Sequence, residues 1–405
     1  MESKNKGKNF VVISPNYPSS YYKFCAGLRA QGFDVFGVGD AAANELSLEL
    51  QNILAEYVQI KSLNDYQSLL QATKYLTEKY GHICGLESNN EYWLKNDALL
   101  RRDLGVDGLL PDKLEYYQYK SKMKTLFAEA GVGVAPFVVT RELQVVQGFV
   151  NQHGYPCFAK PNKGVGAREA QKISTQEKLL EFFRNPLQED YIFETYVEGN
   201  LYSYDGLTDK QGNIVFEAAH RFTMPIDKLK ETGDECVYFT IRDIPAKLRE
   251  IGRNTVKAFD LCGRFFHIEF FELVKSITGV GDVGDFVGIE VNMRPAGGFT
   301  PEMINVAKGI DVYGLWARCM ANNTMQKCNT TDNLYCVNIG RHNKKKYLYT
   351  LSQIKEQYPN NFVIVGATDA SDNPFGNCEI IAKFESLEQS QEFCDYVTKT
   401  IENQN

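Results

Sequence analysis

Apolar residues along this chain change their spacing at a few places, and those changes mark its units. Residues 10–15 (Phe-Val-Val-Ile-Ser-Pro) form a short β-rich run, residues 19–30 have helical spacing, and residues 33–38 form a second apolar run. That order predicts a βαβ unit. A strand near 57–60, a helix over 65–80 and a strand near 82–86 continue the alternation, which implies a parallel sheet covered by helices. Residues 1–112 therefore form one α/β domain. Helical spacing returns over 116–130 and stops at Gly131, a residue suited to a left-handed helix cap. Strands near 136–140 and 156–161 flank a helix over 142–153. Beyond Glu194 the period becomes two: strands 201–209 and 213–222, joined by the turn Asp209-Lys210-Gln211-Gly212, predict antiparallel sheet. A helix over 245–261, strands 265–273 and 286–293, and helices within 301–322 follow. The polar stretch 322–333 sets off a small βαβα tail, so the expected units are 1–112, 113–325 (divided at 197/198) and 326–405.

Composition narrows the function. The formal charge of −7 and the lack of a basic surface run beyond Lys344-Lys345-Lys346 argue against a nucleic-acid binder. No apolar stretch has the roughly 20 residues needed to span a bilayer, and the start MESKNKGKNF has no signal-like apolar region, so a cytoplasmic protein without a membrane role is expected. Ten cysteines from Cys25 to Cys394, with no Cys-x-x-Cys pair, predict reduced thiols rather than a disulfide frame or a zinc site.

Candidate chemistry concentrates in two segments. In Ile289-Glu290-Val291-Asn292-Met293-Arg294, strand alternation puts Glu290, Asn292 and Arg294 on one face. Carboxylate and amide oxygens suit Mg²⁺, and a guanidinium suits phosphate; a solvated polar strand face is the plain alternative. In His267-Ile268-Glu269-Phe270-Phe271, an acid interrupts an apolar run and needs a partner or a metal. If the two strands pair through the loop 279–285, Glu269 joins Glu290 and Asn292 in one cation site. The second segment, Phe158-Ala159-Lys160-Pro161-Asn162-Lys163-Gly164-Val165-Gly166, delivers a lysine on a strand ahead of a glycine loop able to approach phosphate. It lacks the Walker pattern, in which Gly-Lys-Ser/Thr opens a helix.

Together these segments resemble the ATP-grasp superfamily, in the group that includes carbamoyl-phosphate synthase large subunits and carboxylate–amine ligases such as D-alanine–D-alanine ligase. The resemblance runs from about residue 104 to 321. It implies α/β and α+β architecture: an ATP-grasp fold with an N-terminal Rossmann-like parallel-sheet domain and a small C-terminal α/β domain. Tyr119-Lys120, followed by Ala130-Gly131-Val132, is similar to the family's first ATP-lysine helix, with Tyr119 where Asp is usual. Lys160 matches the second lysine, and Gly164 and Gly166 the loop that closes over phosphates. Glu194-Thr195-Tyr196-Val197-Glu198-Gly199 resembles the adenine-binding hinge, with Phe271 under the ring. Leu201 stands where many relatives have a ribose-binding Glu, which leaves Glu198 as a candidate. Pro295-Ala296-Gly297-Gly298-Phe299-Thr300 resembles a turn that offers N–H groups to a substrate carboxylate.

The resemblance implies ATP and Mg²⁺, with Mn²⁺ as a substitute, and small-molecule carboxylate and amine (or thiol) substrates joined through an acyl phosphate. Arg294 and Lys160 are the expected catalytic cations, Arg221, Gly297 and Gly298 candidate substrate contacts, and residues 14–18 a wall of the acceptor site; a homodimer is compatible. Arg221 is equally readable as a surface residue. A carboxylase or carbamoyl-phosphate-forming enzyme is the alternative, followed by a non-catalytic nucleotide sensor. Gly279-x-Gly281-x-x-Gly284 is followed by a strand rather than a helix, against a dinucleotide site. His267-x-Glu269 has no Pro-Cys-x-x-Cys after it, which sets aside a zinc deaminase and leaves His267 as a satisfied strand histidine.

Overall fold

The N-terminal apolar runs become strands of one sheet whose central pair is buried on both faces, as a parallel sheet covered by helices requires, while its two edge strands are partly exposed. They are β1 (Asn9–Ile13), β2 (Asp34–Gly39), β3 (Glu56–Gln59) and β4 (Ile83–Glu87), arranged β3-β2-β1-β4 and all parallel. Helices α1 (Tyr22–Ala30), α2 (Leu48–Ile53), α3 (Tyr66–Tyr80) and α4 (Leu94–Leu104) complete this layer. The computed structural model describes residues 8–164, 170–322, 324–367 and 375–401.

Next come α5 (Glu115–Gln118) and α6 (Lys120–Glu129), then a small lobe. The lobe contains β5 (Phe137–Thr140), α7 (Leu143–His153), β6 (Cys157–Pro161), β7 (Gln171–Ile173), α8 (Gln176–Phe182) and β8 (Tyr191–Thr195). Its sheet runs β5-β8-β6-β7, antiparallel throughout.

The remaining strands build one large sheet. They are β9 (Gly199–Thr208), β10 (Ile214–Phe222), β11 (Cys236–Thr240), β12 (Phe265–Leu273), β13 (Phe286–Asn292), β14 (Tyr335–Arg341), β15 (Phe362–Ala367) and β16 (Cys378–Phe384). Their order is β13-β12-β9-β10-β11-β14-β16-β15. Helices α9 (Ile226–Thr232), α10 (Ala246–Ala258), α11 (Thr300–Lys308), α12 (Val312–Ala321), α13 (Leu351–Gln357) and α14 (Leu387–Thr398) lie between or after these strands.

The segment after residue 326 does not close on a sheet of its own. Its order is βαββα rather than βαβα, and β14 hydrogen-bonds to β11, so its three strands extend the large sheet. The N-terminal domain is also joined to that sheet through a common core: Phe24 of α1 meets Tyr313 and Trp316 of α12 and Phe265 of β12 edge-on at 4.8–5.7 Å. All ten cysteines are free thiols. Among the described residues, no helix is long and apolar enough to cross a membrane.

Candidate active site

Strands β12 and β13 pair as antiparallel neighbours, with Glu269 directly opposite Glu290 and His267 opposite Asn292. On the other edge of β12, Glu269 faces Ser203 and His267 faces Asp205 of β9. The period of two therefore brings Ser203, His267, Glu269, Phe271, Glu290, Asn292 and then Arg294 to one wall of a cavity of about 750 Å³. A bulge after Glu269 adds Ile289 to the same lining.

The opposite wall comes from α6 and the small lobe. Lys120 and Lys124, one helical turn apart, line the cavity with Lys160 of β6 and Glu194 of β8. Glu194 is clamped by two ion pairs, one to Lys160 at 2.8 Å and one to Lys124. Burial alone would raise its pKa, but the charges of Lys124 and Lys160 and their hydrogen bonds bring it down to about 2. Lys124 is pushed down by burial, against the pull of Glu194. Lys160 moves up because Glu194, Glu290 and Glu269 outweigh its burial. Lys120 Nζ donates to the Gly164 carbonyl at 2.9 Å and stands 3.4 Å from Glu290, linking the two walls.

Beneath the carboxylate wall lies a histidine–aspartate network. Asp205 accepts from His267 Nδ1 at 2.6 Å and pairs with His220 Nδ1 at 2.8 Å. Burial works to lower the His267 pKa, yet Asp205 and then Glu269 raise it to about 9, so its ring is a cation at neutral pH. Glu269 is held below its usual range: burial opposes this, but the His267 hydrogen bond and the charges of His267, Arg294 and Lys160 prevail.

The donor set fits a hard divalent cation. Two carboxylates and an amide side chain from Glu269, Glu290 and Asn292 line one space at paired strand positions, a donor set that a divalent cation can bridge. No cluster of three or more His, Cys, Asp or Glu side chains able to cage a metal exists among the described residues.

Several sequence expectations find their places here. Lys120, Lys160, Glu194, Tyr196, Val197, Phe271, Glu269, Glu290, Asn292, Arg294, Gly297 and Gly298 all line the one cavity. Gly164 stands outside the lining, holding Lys120 through its carbonyl. Gly166 lies outside the described residues. Glu198 is exposed and away from the lining, whereas Leu201 is part of it, so no acidic ribose contact is apparent at the hinge. Arg221 is exposed and outside the lining: β10 turns His220 into the cavity, and the Arg221 guanidinium lies 5.8 Å from the Tyr202 ring centre. Residues 14–18 do not line this cavity; the N-terminal domain instead supports it from behind, as Glu91 accepts the Met293 N–H at 2.8 Å.

Lys124, Tyr238 and Glu379 are among the lining residues that the sequence does not single out. Lys124 was signalled only by its i, i+4 spacing from Lys120. Tyr238 and Glu379 lie on β11 and β16, and nothing in the linear sequence ties those strands to the nucleotide motifs.

No protein-family model matches the chain. It is 23% identical over 246 residues to an L-arginine-specific L-amino acid ligase from Bacillus subtilis, covering 58% of this chain and 57% of that one. It is 20% identical over 237 residues to mouse mitochondrial carbamoyl-phosphate synthase (ammonia), covering 56% of this chain and 15% of the synthase. The chain thus spans a small part of the synthase and little more than half of the ligase. The crystal structure of an L-amino acid ligase from Bacillus licheniformis superposes with a TM-score of 0.74 at 15% identity, over 96% of both chains.

Proposed function

This chain has the ATP-grasp fold, and from that premise we propose that it is a Mg-ATP-dependent ligase that joins a carboxylate to an amine through an acyl phosphate. The observation that carries the reading is the pairing of Glu269 with Glu290, beside Asn292 and Arg294, across one cavity from Lys120 and Lys160. In this reading adenine lies against Phe271 and Leu201 under the Tyr196–Val197 hinge, with its phosphates toward Lys120 and Lys160. Bound Mg²⁺, or Mn²⁺ in its place, would be held by Glu269, Glu290 and Asn292 and would offset the phosphate charge. Lys160 and Arg294 hold the terminal phosphoryl group while a substrate carboxylate oxygen attacks it, breaking the bond to ADP and forming the acyl phosphate. An amine then attacks the acyl carbon and phosphate leaves. The backbone N–H groups at Gly297 and Gly298 suit the oxyanion of that step. Similarity to amino-acid ligases supports amino-acid-like substrates.

The test is an ADP-release screen of the purified protein against pairs of amino acids, amines and bicarbonate, with products read by mass spectrometry. ADP and phosphate are the expected products, and Glu290→Gln is expected to abolish their formation while remaining folded. Stoichiometric AMP and pyrophosphate would defeat the mechanism, and turnover with bicarbonate alone would favour carboxylation.

A further inference from the structure

At one end of the cavity the lining changes character. Phe222, Tyr238 and Phe375 supply aromatic surface, with the Phe222 and Tyr238 rings stacked at 4.8 Å, and one carboxylate stands among them, Glu379 of β16. Its Oε2 accepts a 2.7 Å hydrogen bond from Asn338 Nδ2, which also donates to Tyr238 Oη at 2.9 Å. No lysine, arginine or histidine forms an ion pair with Glu379 among the described residues, and burial pushes its carboxyl upward with only the Asn338 hydrogen bond opposing. Asn338 is almost fully buried, and its Oδ1 has no hydrogen-bond partner. Among the described residues the local inventory is thus acceptor-rich and lacks a cation paired with Glu379. Every other acid in the lining has cationic company: Glu194 has two lysines, Glu290 has Lys120, and Glu269 has His267.

The neighbouring turn supplies the scale. Gly298 adopts φ +59°, and a Cβ there would lie 3.6 Å from Glu379 Oε2 and 3.8 Å from Tyr238 Oη. A side chain at that position would occupy the space between the turn and the carboxylate. The turn, whose backbone N–H groups suit an anion, and the Glu379 carboxylate are therefore close neighbours in the cavity lining, near enough for one small bifunctional molecule to touch both.

We propose that Glu379 is the specificity-determining residue for the acid substrate: it receives the α-ammonium group of an amino acid whose carboxylate lies at the Gly297–Gly298 turn. The inference rests on the ligase reading of this cavity and names its substrate class. The ammonium donates to Glu379, the aromatic rings shield the pair from water, and a cation–π contribution from Phe222 or Tyr238 adds to it. A simple carboxylic or 2-hydroxy acid, which cannot offer a cation, is rejected because the half-buried Glu379 then stays without a counter-charge.

Thermal shift and calorimetry with the twenty standard L-amino acids and their 2-hydroxy analogues, in the presence of Mg-AMP-PNP, test this without requiring turnover. At least one amino acid is expected to bind wild type, and its hydroxy analogue to bind about 10–150-fold more weakly, the range of one charge-assisted hydrogen bond. Glu379→Gln should erase that preference while retaining the AMP-PNP shift that reports a folded nucleotide site. The analogue comparison on wild type stands even if the variant fails to fold. Failure of every amino acid to bind, or equal binding of amino and hydroxy acids, overturns the inference. ADP formation with an acid lacking an amine would overturn it and spare the ligase reading, whereas amino-acid binding through Glu379 without any ATP turnover would sink the ligase reading and keep the site.

Discussion

Lys160 is the residue at which nucleotide binding can be separated from folding. Its ammonium shares Glu194 with Lys124, so Lys160→Ala leaves that buried carboxylate one partner. The variant is expected to fold and to bind ATP more weakly by roughly 1.5–3 kcal/mol, the worth of one charge-assisted contact. An unchanged affinity by calorimetry would remove Lys160 from the phosphate site. Residues of this kind were legible because strand alternation fixes the side of each: Glu269, Glu290 and Asn292 follow once β12 and β13 are taken as paired. The same rule, applied to His220 and Arg221, shows that only one of two consecutive residues can face the cavity, and here it is His220. Glu379 was beyond reach for a different reason. Its strand reads as ordinary half-buried sheet, and its meaning comes only from the β14 and β11 neighbours that bring it beside Tyr238.

The two walls of the cavity depend on how α6 sits against β13. Gly288 allows that approach: a Cβ there would lie 2.5 Å from the ring of Phe127, which is fully buried between Phe259 and Phe270 and has little room to yield. Gly288→Ala should therefore cost about 1–3 kcal/mol as an overpacked contact. Because α6 carries Lys120 and Lys124, and Glu290 lies two residues beyond Gly288, the substitution should also weaken nucleotide binding. A lowered melting temperature together with a higher ATP Kd is the expected pair of results, and wild-type values for both would reject the account. Element order was mostly readable because β9, β10, β12 and β13 are long runs rich in apolar and aromatic residues bounded by turn residues. Helix α4 was not: Asp97 and Arg101 are buried in it, so its inward face carries charges where an amphipathic pattern would carry apolar residues. The polar stretch 322–333 has the composition of a linker and so suggests a separate tail, whereas the β11–β14 pairing is a long-range contact that no local pattern encodes.

At the scale of the molecule, the N-terminal domain meets the large sheet through buried acids whose charges oppose one another in their pH dependence. Glu87 pairs with Arg101 at 2.9 Å and with Arg264 at 2.8 Å. Burial would raise its pKa, but Arg101 and Arg264 hold it below the ordinary value of 4.5. Its contribution to stability is therefore present above that value and lost as pH falls below it. Asp97 moves the other way, raised by burial and by the charge of Glu87. Glu91, which accepts the Met293 N–H, is raised to about 7, chiefly by burial, with Arg294 and that N–H opposing. For these two acids the folded state holds a proton that the unfolded chain has released, so their contribution is complete below the ordinary carboxylate range and disappears as pH rises through 7. The melting temperature should consequently peak near pH 5 and decline toward pH 8, with Glu91 alone contributing up to about 3 kcal/mol of that decline. Glu91→Gln copies the protonated shape and can still accept from Met293, so it should flatten the alkaline limb and melt above wild type at pH 8. Scanning calorimetry from pH 4 to pH 8 on both proteins decides the matter. A wild-type melting temperature that stays level or rises between pH 5 and pH 8, or a Glu91→Gln curve that falls in parallel with it, would mean that this interface does not set the pH dependence of the fold.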